Sequence, residues 1–207
     1  MFVTVEGIEG SGKSTLLSSL SSFLRERGHE VVTTREPGGT PLGDALRRVF
    51  VTPGLAIAPM SEAFLVNASR AQHVVDVIEP ALRDGKIVLC DRFGDATLAY
   101  QGYGRGVDLS TLAALVAHAT RGRSPDLTLL VDIDVRLSQA RVAARAVASG
   151  AAIDRLERED LAFHERVRAG YLELARADAR IAVLDGVLAP ETLLARAAAL
   201  VVAKLDG

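Results

Sequence analysis

Five short apolar runs rich in β-branched residues punctuate the chain: Phe2–Val5, Val31–Thr34, Ile87–Cys90, Leu127–Val131 and Ile181–Leu184. Between them, apolar positions recur at the three- and four-residue spacing of helices with one face turned to a core. Strands alternating with helices predict an α/β fold with a parallel sheet flanked by helices, because parallel neighbours need a crossover long enough to hold a helix. The first helix should start near Lys13, place Leu16, Leu17, Leu20, Phe23 and Leu24 inward, and stop at Gly28, a residue suited to a left-handed terminus. Its serines, Ser18, Ser19, Ser21 and Ser22, are expected to face water. A longer helix is expected from about Ser61 to Arg83, with Val74, Val77, Ile78 and Leu82 inward, a kink at Pro80 and a stop at Gly85. Another should cover roughly Ser110 to Thr120.

The stretch from Arg141 to Glu157 has a different character. Small residues from Ala146 to Ala152 connect two helical patterns between flanking arginines. That composition suits a mobile lid that excludes water from a reaction.

At 207 residues the chain fits one domain, residues 1–207, with a full core. A net charge of −2, no Trp and only three Tyr exclude a general nucleic-acid binder, which would show a basic stripe with interleaved aromatics. The single cysteine, Cys90, has no partner for an internal disulfide and fits a reducing compartment. No apolar stretch reaches the roughly 18 residues of a membrane span, and no basic leader precedes the first strand, so a cytoplasmic protein is expected. None of His29, His73, His118 and His164 stands in metal-ligand spacing. No Gly-x-Ser-x-Gly elbow or Cys/His nucleophile pattern points to covalent catalysis.

Chemistry is written most plainly at Gly7-Ile8-Glu9-Gly10-Ser11-Gly12-Lys13-Ser14, a G-x-x-x-x-G-K-[ST] loop between strand and helix. Its glycines let backbone N–H groups turn toward phosphate oxygens, and the helix adds its N-terminal dipole. Lys13 would reach the β/γ-phosphates and Ser14 would ligate Mg²⁺. Asp91 and Arg92 follow the third strand and emerge on the same edge of the sheet, where an Asp can hold Mg²⁺ and an Arg can clamp phosphate. Further candidates are Arg35 in the Thr34–Thr40 turn, Arg47 or Arg48 on the following helix, Arg70 within Asn67–His73, and the polar, glycine-rich run Asp95–Gly106.

Together, the phosphate loop with Glu9 inside it, TREPGGT at 34–40, Asp91-Arg92-Phe93 and LAYQGYGRG at 98–106 resemble the bacterial thymidylate kinase family over nearly the whole chain. That resemblance implies a P-loop kinase fold with a five-stranded parallel sheet and a mobile lid at about 141–157. It implies transfer of the ATP γ-phosphate to dTMP with Mg²⁺, a step toward dTTP, usually by a homodimer. By the same likeness Gly7, Gly10, Gly12, Lys13, Ser14 and Thr15 hold ATP, with Arg141 beside it, while Ser14 and Asp91 organise the metal. Glu9 reaches the 3′-hydroxyl region of the acceptor, and Arg47 and Arg92 hold its phosphate. Arg70, Thr97 and Gln101 contact thymine, and Tyr100 crowds a ribose 2′-hydroxyl. Family members without an arginine in the phosphate loop supply one from the lid, and Gly10 and Ser11 carry no charge, so the resemblance implies that Arg141, Arg145 or Arg155 neutralises the transferring group, with Arg145 first among them. Lys13, Arg92, Arg145 and Glu9 form the expected catalytic set.

The chain departs from the family at Val66, four residues before Arg70, where a Phe ring usually stacks on thymine. Phe64 is turned about 200° away on the same helix. Phe93 and Tyr103 are the candidates to cover that face of the base. A same-fold kinase for another nucleoside monophosphate or a deoxynucleoside fits the same motifs, and an ATP-hydrolysing switch without an acceptor is the rival from another class.

Overall fold

The computed structural model describes residues 1–150 and 152–206. Five parallel strands, β1 (Phe2–Glu6), β2 (Val31–Arg35), β3 (Ile87–Asp91), β4 (Leu127–Asp132) and β5 (Ile181–Asp185), form one sheet in the order β2-β3-β1-β4-β5. Each strand runs one residue past the expected apolar run, and each added residue is charged: Glu6, Arg35, Asp91, Asp132 and Asp185. The carboxyl edge of the sheet is therefore lined with ionisable groups.

Both faces of the three central strands are covered, which is why they read as nearly unbroken apolar runs. Val3, Val5, Ile87, Leu89, Leu129 and Val131 pack with Leu16, Leu20 and Leu24 of α1 (Lys13–Glu26) and with Leu193, Ala197 and Val201 of α9 (Pro190–Asp206). Between them in sequence stand α2 (Pro41–Val51), α3 (Pro59–His73), α4 (Glu79–Arg83), α5 (Gly94–Thr97), α6 (Leu109–Thr120), α7 (Val135–Ser149) and α8 (Leu161–Ala177). On the opposite face, Phe2, Val88 and Cys90 meet Val74, Ile78 and Phe93. Leu130 and Ile181 meet Tyr100, Phe163, Val167 and Tyr171 on that face.

Two helical expectations change in detail. The long helix from Pro59 to Arg83 is continuous, but a π-helical turn over Val74–Ile78 separates α3 from α4 and ends just before Pro80. The ring of Pro80 lacks an N–H and collides with an ordinary i−4 carbonyl, and a widened turn relieves that conflict. Val74 and Ile78 are buried, while Val77 and Leu82 are half-buried. Ser21 does not face water: it is 3 % exposed, and its hydroxyl has no partner among the described residues. In the segment expected to form a lid, α7 continues through Ala146 to Ser149 and closes on a left-handed Gly150, so most of the expected connection is helix. Ala151 lies outside the described residues.

Candidate active site

The phosphate loop bends because its backbone occupies conformations open mainly to glycine. Gly7 has φ 138°, and a side chain there would stand 2.4 Å from the Val131 carbonyl. Gly12, at φ 105°, precedes the first turn of α1 and leaves that turn's N–H groups uncapped by any side chain. A helix amino end of this kind draws phosphate through both its free donors and its dipole. Lys13 lies folded over the loop, with Nζ donating to the Ile8 carbonyl at 2.8 Å. Burial, followed by repulsion from Arg92, pushes its ammonium down to about 8. Ser14 Oγ donates to Asp91 Oδ2 at 3.4 Å, and Asp91 Oδ1 is buried without a partner among the described residues.

Arg92 sits directly after β3 with φ 71°, a left-handed backbone that is costly for a side-chain-bearing residue. The guanidinium over-determines that geometry. It donates to Glu9 Oε1 at 2.7 Å, to the Tyr100 hydroxyl at 2.9 Å and to the Tyr171 hydroxyl at 3.1 Å. It also lies 4.7 Å over the Tyr100 ring. Burial acts to raise the Glu9 carboxyl, but Arg92 and Lys13 outweigh it and hold Glu9 below the usual carboxylate value. Beneath this group, Glu6 accepts from the Phe93 N–H and the Tyr171 hydroxyl, each at 2.7 Å. Burial, reinforced by Asp95, pushes Glu6 up to about 8.

Arg70 is 2 % exposed and spends most of its donors on protein. It binds Glu36 at 2.7 Å, Asn67 at 2.8 Å, and both Thr97 and the Phe93 carbonyl at 2.9 Å. The TREPGGT turn is held by the same helix. Ser69 accepts from Gly38 N at 3.0 Å, and His73 bridges Glu36 and Thr34 at 2.9 and 2.6 Å. Gly39 must be glycine, since a side chain would meet Thr34 and the His73 ring within 2.8 Å. Arg47 reaches the Pro37 carbonyl at 3.2 Å, and burial followed by repulsion from Arg35 lowers its pKa.

The three arginines expected to serve a lid separate by environment. Arg141 donates to the carbonyls of Gly10 at 3.3 Å and Gly186 at 3.2 Å, which pins α7 to the phosphate loop. Arg145 is paired with Glu157, 53 % exposed, and borders the cleft. Arg155 turns the other way. It is 9 % exposed, bonds Glu62 and the Phe50 carbonyl, and lies outside the cleft lining.

These groups converge on one cleft of about 730 Å³ at the carboxyl edge of the sheet. Glu9, Gly10, Gly12, Lys13, Ser14, Thr15, Arg47, Arg70, Asp91, Arg92, Thr97, Tyr100, Gln101, Arg141 and Arg145 all line it. Gly7 acts from behind, as a turn residue. Val66 lines the cleft, whereas Phe64 is 55 % exposed. Phe93 and Tyr103 are not in the cleft: Phe93 packs edge-on to Phe2 in the core, and Tyr103 packs on Gly170.

Sequence reasoning missed the buried acids and one ring. Glu62, wholly buried, collects Arg155, Arg105 and Gln101. Glu36 and Glu6 were passed over in the same way. Glu62 carried one usable signal: it lies one turn before Val66 on α3, on the inward side of the helix. Phe50, on α2, enters the cleft wall and was not singled out.

The thymidylate kinase family profile matches residues 5–196. A thymidylate kinase of Desulfovibrio desulfuricans is 52 % identical over 197 residues, covering 92 % of this chain and 90 % of the relative. One from Deinococcus radiodurans is 50 % identical over 186 residues, with 89 % and 88 % covered. The crystal structure of thymidylate kinase from Ehrlichia chaffeensis aligns with a TM-score of 0.76 at 34 % identity, covering 97 % of this chain and 98 % of that one.

Proposed function

From the premise that the chain belongs to the thymidylate kinase family, we propose how its cleft phosphorylates dTMP to dTDP with the γ-phosphate of ATP. The observation that carries this reading is one continuous cavity holding Lys13 and the phosphate loop at one end and Arg70, Thr97 and Gln101 at the other. ATP lies with its phosphates on the Gly7–Thr15 loop, held by the α1 amino end and Lys13. dTMP enters from the opposite wall with its phosphate between Arg47 and Arg92.

The reaction forms a bond from a dTMP phosphate oxygen to the γ-phosphorus and breaks the bond to the β-phosphate oxygen, which leaves as ADP. Little covalent work falls to the protein, so alignment and charge neutralisation carry the rate. Arg92 is immobilised before substrate arrives by Glu9, Tyr100 and Tyr171, which reduces reorganisation as charge shifts. Tyr100 and Glu9 face the sugar. Arg70 has its Nε, both NH1 hydrogens and one NH2 hydrogen committed, which leaves the second NH2 hydrogen for a base carbonyl. Arg145, the exposed lid cation at the cleft, closes on the transferring group.

Asp91 Oδ1, buried and unpartnered beside Ser14, fits Mg²⁺, a cation that takes hard oxygen donors. Ser14 and Asp91 would hold it, and when bound it would neutralise charge on the β- and γ-phosphates. A homodimer belongs to the same reading, supported by the exposed stripe of Phe64, Ala68 and Val75 along one side of the long helix. Among the described residues, no helix is long and apolar enough to cross a membrane.

ADP release with and without dTMP tests the reading. ADP should form rapidly only when dTMP is present. Equal rates in both cases, or preference for a cytosine or purine monophosphate, would refute it.

A further inference from the structure

A pyrimidine held by Arg70, Thr97 and Gln101 is gripped at its polar edge and still needs a flat apolar surface for its face. Val66, one turn before Arg70, offers a small branched side chain and no plane. Two aromatic rings line the cleft, Tyr100 and Phe50. The Tyr100 hydroxyl is committed to Glu9 and Arg92, and its ring lies under the Arg92 guanidinium. Phe50 also has a guanidinium near its ring, that of Arg155, but it carries no hydroxyl tied to Glu9 and Arg92.

Its placement is fixed from two sides. α2 packs along α3, which carries both Val66 and Arg70. The Arg155 guanidinium lies 5.1 Å from the Phe50 ring centroid and donates through Nε to the Phe50 carbonyl at 2.9 Å. Arg155 is in turn bound by Glu62, whose other oxygen accepts from the Gln101 amide at 3.2 Å. A single chain of contacts thus ties the ring to one of the groups that read the base edge. We propose that Phe50 is the specificity-determining residue that covers the base in this enzyme, with the room left by Val66 on α3 admitting it. This rests on the dTMP kinase reading above, and deepens it.

Steady-state kinetics of Phe50→Leu, with dTMP and ATP varied separately, tests the proposal. The KM for dTMP should rise about tenfold, within the range expected for losing an aromatic stacking partner, with kcat and the ATP KM within about threefold. Phe50→Tyr should keep a near-normal KM, and adding Val66→Phe to Phe50→Leu should recover most of the loss. An unchanged dTMP KM in Phe50→Leu would overturn the proposal. So would equal losses toward both substrates, which mark a merely structural role. Because the Arg155 bond uses the backbone carbonyl, these substitutions leave it in place. Should Phe50→Leu fail to fold, the structure of the wild-type protein with dTMP decides: the Phe50 ring stacked on the base supports the assignment, and a ring remote from it overturns it. A wild-type protein that turns over no dTMP would instead remove the underlying reading, an outcome visible before any variant is made.

Discussion

Glu62→Gln keeps the shape of the side chain and removes its charge. In the native protein Glu62 is fully buried and accepts from Arg155, from Gln101 at 3.2 Å and from Arg105 at 3.2 Å. An amide there retains one acceptor oxygen and turns its NH₂ toward groups that are themselves donors. Arg155, 9 % exposed, would then be a buried cation without a counter-ion among the described residues, where one of its nitrogens already lacks a partner. Removing one member of a buried pair costs about 3–5 kcal/mol. Arg105 is better placed, since it is 17 % exposed and keeps Glu159, so the low end, about 3 kcal/mol, applies. For a chain of this size that is a fall in Tm of about 6–12 °C. Thermal and urea unfolding followed by circular dichroism would measure it, with Glu159→Gln as the control, because that carboxylate is 28 % exposed and its loss should cost under about 1 kcal/mol. A Glu62→Gln protein within about 1 kcal/mol of wild type would show that the arginines find water or other acceptors, and would refute the reasoning.

Two further outcomes are expected. Lys13, whose proton is held only to about 8 by burial and Arg92, must be charged to attract phosphate. The free protein therefore loses this attraction as pH rises through 8, and the Kd for ATP should weaken about tenfold between pH 7 and 9 by calorimetric titration. Lys13→Arg should flatten that dependence, and identical slopes in both proteins would remove Lys13 as its source. Arg145→Ala should slow turnover by about a hundredfold or more while leaving the dTMP KM within about threefold; unchanged turnover in a coupled ADP assay would pass the role to Arg141.

The three central strands, β3, β1 and β4, were legible because both their faces are buried, so their side chains stay largely apolar up to the edge. The last residues of the five strands were not, since Glu6, Arg35, Asp91, Asp132 and Asp185 break the apolar pattern while continuing the hydrogen-bond ladder. The phosphate loop and the acceptor-side motifs were readable because their chemistry is local in sequence. Glu62 and Glu36 were not, because a buried acid is stable only through partners such as Arg155 and Arg70 that stand far along the chain. Helical period also gave no warning of the π-helical turns at Val74–Ile78 and Leu98–Gly104, where one extra residue per turn shifts the inward face. Arg155 is grouped with the expected lid cations by proximity in sequence, whereas a buried carboxylate draws it away from the cleft.

Cys90 lies in the middle of the sheet with no exposed surface, and burial, with Glu36 and Asp91, pushes its thiol well above the ordinary value. Thiol reagents attack the thiolate, so the folded chain is silent to maleimides and disulfide probes. An engineered Cys at Val147, 87 % exposed on α7, would then be the sole labelling position, and a fluorophore there would test whether α7 moves when ligand binds, against an unlabelled background. The same silence makes the slow modification of Cys90 a clock for global unfolding.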